Sequence, residues 1–161
     1  MVSGTDQKGL VESLAAAVEE LNGNWLESKL CRLEGHFAGI VSIDFPSGAN
    51  ELPSHVSGLS CHWKQIVSKE ERASEAGQAS IEILAADRPG IIKQISHVLT
   101  RHGANVEEVE SSVSSAPFSG EQMFEARYRI SFDLGTNEEH LQAGLEELAE
   151  ELMCDLNYKQ S

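Results

Sequence analysis

A chain of 161 residues, 40 % of them apolar and with a net charge of −14, has room for one large or two small domains and the composition of an ordinary folded protein. Neither half offers the basic footprint that nucleic acid requires: residues 1–78 carry 6 basic and 11 acidic side chains, and residues 79–161 carry 6 and 15. No apolar run approaches the roughly 20 residues of a membrane span, and Met1-Val-Ser-Gly-Thr-Asp6 has neither a basic start nor an apolar stretch. A cytoplasmic protein without membrane or direct nucleic-acid contacts is therefore expected.

The first residues that can form a strand are 1–5. Asp6-Gln-Lys-Gly9 then turns into a helix over 10–21, with Leu10, Val11, Leu14 and Val18 on one face. Residues 25–33 and 37–45 read as strands joined by the tight Glu34-Gly-His36. Residues 46–50 read as a turn. Leu52, Val56 and Leu59 have helical spacing, with Pro53 in the first turn, and predict a short second helix. Residues 63–67 read as a closing strand. The polar stretch 68–77 (SKEERASEAG) reads as a linker.

The same order then returns with stronger signals. Residues 80–86 (SIEILAA) form a strand, Asp87-Arg-Pro-Gly90 a turn, and 91–102 a helix with Ile91, Ile92, Ile95, Val98 and Leu99 on one face, closed by Gly103. Residues 105–115 read as a strand and 116–121 as a loop. Residues 123–134 alternate: Phe124, Ala126, Tyr128, Ile130, Phe132 and Leu134 face one way, and Glu125, Arg127, Arg129, Ser131 and Asp133 the other, as in a sheet buried on one side. Thr136 and Glu139 have capping-box spacing before a stripe of Leu141, Leu145, Leu148 and Leu152. Residues 155–159 form a last strand. The acids of 138–151 mark that helix's outer face, a solvated surface that also suits the steering of a basic partner.

Shifted by 81 positions, residues 4–28 lie on 85–109 without a gap, and Asp6, Gly9, Asn24 and Glu27 fall on identical residues. The duplicated β-α-β-β-α-β order predicts an α+β chain of two ferredoxin-like domains, each a four-stranded antiparallel sheet with two helices on one face. The expected limits are 1–68 for the first domain, 69–78 for the linker and 79–161 for the second. The shift leaves only Met1–Thr5 for the first domain's opening strand, which is central in this topology. Either residues upstream of Met1 complete that sheet or another chain does. Small domains with uncovered sheet faces and edges predict self-association, as a homodimer.

The repeated Asp-x-x-Gly turn has two readings. A helix start offers unpaired N–H groups and partial positive charge, which suit a small carboxylate, and glycine lets backbone approach a ligand. Equally, the aspartate could cap the helix and the glycine permit the turn. Asn22-Gly-Asn24 and Gly103-Ala-Asn105 carry the same ambiguity at the far end of the helix.

Asp87-Arg-Pro-Gly-Ile91, followed by an aliphatic helix and His102-Gly-Ala-Asn-Val106, resembles the ACT domain, a regulatory module that commonly senses amino acids. Gly23-Asn-Trp-Leu-Glu-Ser28, Phe37-Ala-Gly-Ile40 and Ala116-Pro-Phe-Ser-Gly120 are similar to proteins grouped with the glycine cleavage system transcriptional repressor. The resemblance implies a non-catalytic regulator with two ACT domains and no cofactor. It would bind a small amino acid, glycine being one option, between ACT domains and act through a protein partner such as a transcription factor. Carried over by position, the ligand-binding candidates are Asp87, Arg88, Gly90, Ile91 and Asn105 in the second copy. Asp6, Gly9, Leu10 and Asn24 are their counterparts in the first. Gln7-Lys8 replaces Arg88-Pro89 there, which favours the second site.

Other uses of this architecture find little support. Cys31, Cys61 and Cys154 form no CxxC pair, an odd count that fits free thiols, and Cys61-His62 has no second pair of ligands at a metal-binding spacing. An RNA-recognition module would need exposed aromatics and a basic surface, whereas Phe124, Tyr128 and Phe132 read as core. A phosphate-cradling loop would rest on Arg88 alone. His97 and His102 read as helix-surface residues rather than a catalytic pair, and no catalytic residue is assigned. The alternative function is a ligand-free interaction module.

Overall fold

The computed structural model describes residues 1–46, 52–66, 77–117, 119–133 and 135–160. It divides into two units, Met1–Lys69 and Glu70–Ser161. Unit one runs β1 (Val2–Thr5), α1 (Leu10–Glu20), β2 (Asn24–Leu33), β3 (His36–Asp44), β4 (His55–Val56) and β5 (Leu59–Cys61). Unit two runs β6 (Gly77–Ala86), α2 (Ile91–Arg101), β7 (Ala104–Ser115), β8 (Gln122–Phe132), α3 (Glu138–Leu152) and β9 (Asp155–Gln160).

Unit two has the expected ferredoxin-like sheet, ordered β7-β8-β6-β9 with every pair antiparallel. The alternation on β8 holds: Phe124, Ala126, Tyr128, Ile130 and Phe132 are buried against α2 and α3, and Glu125, Arg127 and Arg129 lie on the open face. Leu141, Leu145, Leu148 and Leu152 are buried as the leucine stripe predicted. One detail differs. Asn137, not Thr136, caps α3, its Oδ1 accepting the His140 N–H at 3.0 Å.

Unit one repeats the β2-β3-β1-β5 order but departs from expectation after β3. Its sheet is five-stranded, β2-β3-β1-β5-β4, and α1 is its only helix among the described residues. The helix expected from Leu52, Val56 and Leu59 is a hairpin instead. Ser57 (φ 46°) and Gly58 (φ 86°) form a two-residue turn with both residues left-handed, and Val56 pairs with Leu59. That turn matches the twist of antiparallel strands and overrides the helical spacing. Leu52, Val56 and Leu59 are buried all the same. The strand that closes the sheet on β1 is Leu59–Cys61, not 63–67; residues 62–66 have no regular structure, and Val67 lies outside the described residues. Strand β1, although four residues long, is central and pairs on both sides. The turn expected at 46–50 lies almost wholly outside the described residues. So does the linker at 69–78, whose last two residues, Gly77 and Gln78, open β6.

The two units share irregularities as well as regular elements. Both helices start on a left-handed glycine, Gly9 (φ 87°) and Gly90 (φ 96°), and the turn after each helix is left-handed at Asn22 and Gly103. The outer strands β2 and β7 both shift register between equivalent residues, Trp25/Glu27 and Val106/Glu108.

The unit-two core includes one unmet polar group. Tyr128 is 2 % exposed, and its hydroxyl has no hydrogen-bond partner among the described residues. Such a group costs about 1–3 kcal/mol. Tyr128→Phe is therefore expected to raise stability by about 1 kcal/mol, read as a higher urea midpoint at unchanged slope. Burial also lifts the Tyr128 phenol above its ordinary value of 10.0. Tyr158 is lifted by burial, by the 2.8 Å bond it donates to Glu138 and by that carboxylate's charge. The folded state holds these protons to higher pH than the unfolded chain does. Their contribution is thus complete below about pH 10 and falls as pH rises, by up to about 1.4 kcal/mol per pH unit for each group. Stability measured across the alkaline range should show this fall, and Tyr128→Phe should flatten it.

Candidate ligand site

Strand β6 ends at Ala86, and the chain turns through Asp87-Arg-Pro-Gly90 into α2. The Asp87 N–H donates to the Gln122 carbonyl at 2.8 Å, which pins the turn to the start of β8. Asp87, Arg88 and Gly90 are exposed. Gly90 is the N-cap, its carbonyl accepting the Gln94 N–H at 3.0 Å. No side chain caps the helix. The capping reading of Asp87 is thereby removed: its carboxylate makes no hydrogen bond or ion pair among the described residues. The backbone N–H groups of Ile91, Ile92 and Lys93 are left without helical partners, as at any helix start. The first turn of α2 has no acidic residue, and Lys93 adds a positive charge to the helix dipole. A Cβ at Gly90 would meet no atom within 4 Å, so the approach is open.

The equivalent turn of unit one is tied down. The Asp6 N–H donates to the Gly35 carbonyl and Gln7 Nε2 to the Ser57 carbonyl, both at 2.8 Å. The turn is thus held by the β2–β3 and β4–β5 hairpins. Asp6 also pairs with Arg32, Nε to Oδ2 at 2.7 Å. Glu12 stands in the first turn of α1, where unit two has Lys93. Gly9, like Gly90, has open space where a Cβ would be.

The candidates do not all converge. Asp87, Arg88 and Gly90 share one turn. Ile91 joins them only through its backbone, because its side chain is buried in the core; the same holds for Leu10. Asn105 lies past the other end of α2, roughly 16 Å away at 1.5 Å per helical residue. Its Nδ2 donates to Glu107 Oε1 at 2.7 Å. Asn24 is likewise remote from Asp6 and Gly9. Within one unit, then, the turn and the asparagine cannot hold one small molecule. Cys61 and His62 also diverge: Cys61 is buried, its thiol pushed up by burial, and His62 is exposed.

Unit two also has a cleft of about 740 Å³ along β9, lined by Glu82, Glu125, Arg127, Glu146, Glu150 and Asp155 among others. It contains none of the candidates. No helix among the described residues is long and apolar enough to cross a membrane.

Comparison with known proteins places this geometry. An ACT domain profile matches residues 79–152, and a second ACT domain profile matches residues 1–66. A UPF0237 protein of Methanopyrus kandleri is 34 % identical over 71 residues, covering 44 % of this chain and 78 % of that protein. An unknown protein from Galdieria sulphuraria has a crystal structure similar to this one, with a TM-score of 0.80 at 24 % identity, covering 99 % of this chain and 95 % of that one. A candidate glycine cleavage system transcriptional repressor matches with a TM-score of 0.58 at 15 % identity over the same shares. ACT domains are regulatory modules that generally bind small amino acids and are often dimeric. The chain belongs to the ACT domain family and carries two ACT domains in tandem.

Proposed function

We propose that this chain is a non-catalytic regulator that senses a small amino acid, glycine being the first to test, at the start of α2 and passes that state to a protein partner. The observation that carries the reading is the pairing of unlike charges at one open turn. Asp87 offers a carboxylate that is unpaired among the described residues for an ammonium group, and the uncapped helix start with Lys93 offers N–H groups and positive charge for a carboxylate. A zwitterion presents both. A second copy would bring its own Asn105 to complete the site, since the same chain's Asn105 is out of reach. A ligand that bridges two copies stabilises their assembly, and a homodimer sensitive to concentration can report to a partner. A transcription regulator as partner fits the likeness to the candidate repressor and the lack of a basic surface. Domain limits of 1–68 and 79–161 go with this proposal.

Asp87→Ala tests it. The side chain is exposed and caps nothing, so stability should change by less than about 0.5 kcal/mol. Glycine binding measured by calorimetry should be lost. Binding equal to that of the parent protein would remove the ligand reading. The ligand-free interaction module would then stand, supported by Leu33 and Ile40, which are 71 % and 61 % exposed on strands of the unit-one sheet.

A further inference from the structure

The ladder registers give a strict correspondence between the two units around the binding turn. Gly4 pairs with Phe37 and Phe37 with Arg32; Ala85 pairs with Phe124 and Phe124 with Val113. Arg32 and Val113 therefore occupy the same place, two strands across from the strand that leads into the Asp-x-x-Gly turn. In unit one that place sends a guanidinium to Asp6, with Nε and Oδ2 2.7 Å apart. In unit two it holds a valine that is 50 % exposed, and Asp87 has no cation among the described residues. One turn into the helix the charge also inverts, Glu12 standing where unit two has Lys93.

We propose that Arg32 and Glu12 make unit one a self-occupied copy of the site. The Arg32 guanidinium takes the position of a ligand's ammonium, Glu12 answers the helix-start charge that would draw a ligand's carboxylate, and sensing is left to unit two. The inference rests on the ligand reading of unit two, but its own content is the identity of the two residues that separate the copies. Arg32 is 70 % exposed, and exposed ion pairs contribute little to stability. Its replacement thus opens the turn without unfolding the unit.

The test is a titration of the 15N-labelled full chain with glycine at millimolar concentrations, following the backbone amides of Gly9 and Gly90 separately. In the parent protein the Gly90 resonance should move and the Gly9 resonance should not. In the double variant Arg32→Val with Glu12→Lys both should move, with the β1–β3 amides otherwise in place. The reciprocal variant Val113→Arg should weaken the Gly90 response by up to about fivefold, the ratio an exposed pair at the top of its usual range provides. If Gly9 moves in the parent as Gly90 does, or stays still in the folded double variant, the proposal is wrong and the ligand reading of unit two survives. If Gly90 is silent in the parent but Gly9 responds in the double variant, the blocking role stands and the assignment of sensing to unit two falls. If neither amide responds in any form, both are wrong.

Discussion

Leu14→Ala is expected to melt unit one and leave unit two folded. Leu14 is fully buried in a cluster of six buried residues, Val2, Leu10, Leu14, Val56, Leu59 and Cys61, among the described part of the unit. The unit-two cluster has seventeen. Removing a buried leucine costs about 2–5 kcal/mol, more where the surroundings cannot collapse into the gap. A domain of this size has a net stability of roughly 3–10 kcal/mol, so the loss removes much of what unit one has. The two units carry separate probes. Both tryptophans, Trp25 and Trp63, belong to unit one, and both tyrosines, Tyr128 and Tyr158, to unit two. Tryptophan fluorescence in the variant should report an early transition, while tyrosine absorbance should follow the parent curve. Coincident loss of both signals would mean that the units do not fold independently.

Gly90→Leu is expected to abolish glycine binding while the fold persists. At φ 96° and ψ −1° the backbone is left-handed, which costs a side-chain-bearing residue about 1–2 kcal/mol. A Cβ there meets no atom within 4 Å, so the added side chain occupies the open space beside the turn through which a ligand would have to approach. Gly9→Leu supplies the control. It has the same left-handed backbone and the same open space, so it should lose similar stability and keep binding. Calorimetry of the two variants separates backbone strain from obstruction of the site. Equal binding by Gly90→Leu and the parent would show that the ligand does not approach through this turn.

Unit two was legible because its signals agree. The alternation on β8, the leucine stripe of α3 and the glycine that ends α2 each specify one local structure, and all of them bury the same face. Unit one was legible where it repeats unit two and obscure where it does not. Leu52, Val56 and Leu59 suit a helix by spacing, but Ser57-Gly58 between Val56 and Leu59 is a hairpin turn, and the turn decided. The sheet could then close with Leu59–Cys61 directly on β1, which is why a four-residue strand suffices at its centre. The candidate turn was also legible, since Asp-x-x-Gly before an aliphatic helix survives in both copies. What the sequence could not reveal was reach. Asn105 follows Asp87 by eighteen positions, yet a straight helix carries it to the opposite end of the sheet. Arg32 went unnoticed for the converse reason. It lies far along the chain from Asp6, and only the β1–β3–β2 register brings the two together.

The matching register shifts in β2 and β7 bear on how the protein behaves when concentrated. Both strands lie at a sheet margin, and β7 is twelve residues long, a length that would make a flat, regular strand a seed for fibril growth. The extra residue near the start of each, with Glu107, Glu108 and Glu110 alongside in β7, twists the margin and interrupts the run of backbone groups on which an incoming chain could zip. The same irregularity thus recurs in both copies along with the Asp-x-x-Gly turn. A margin bent in this way is a poor template for the first layer of a filament.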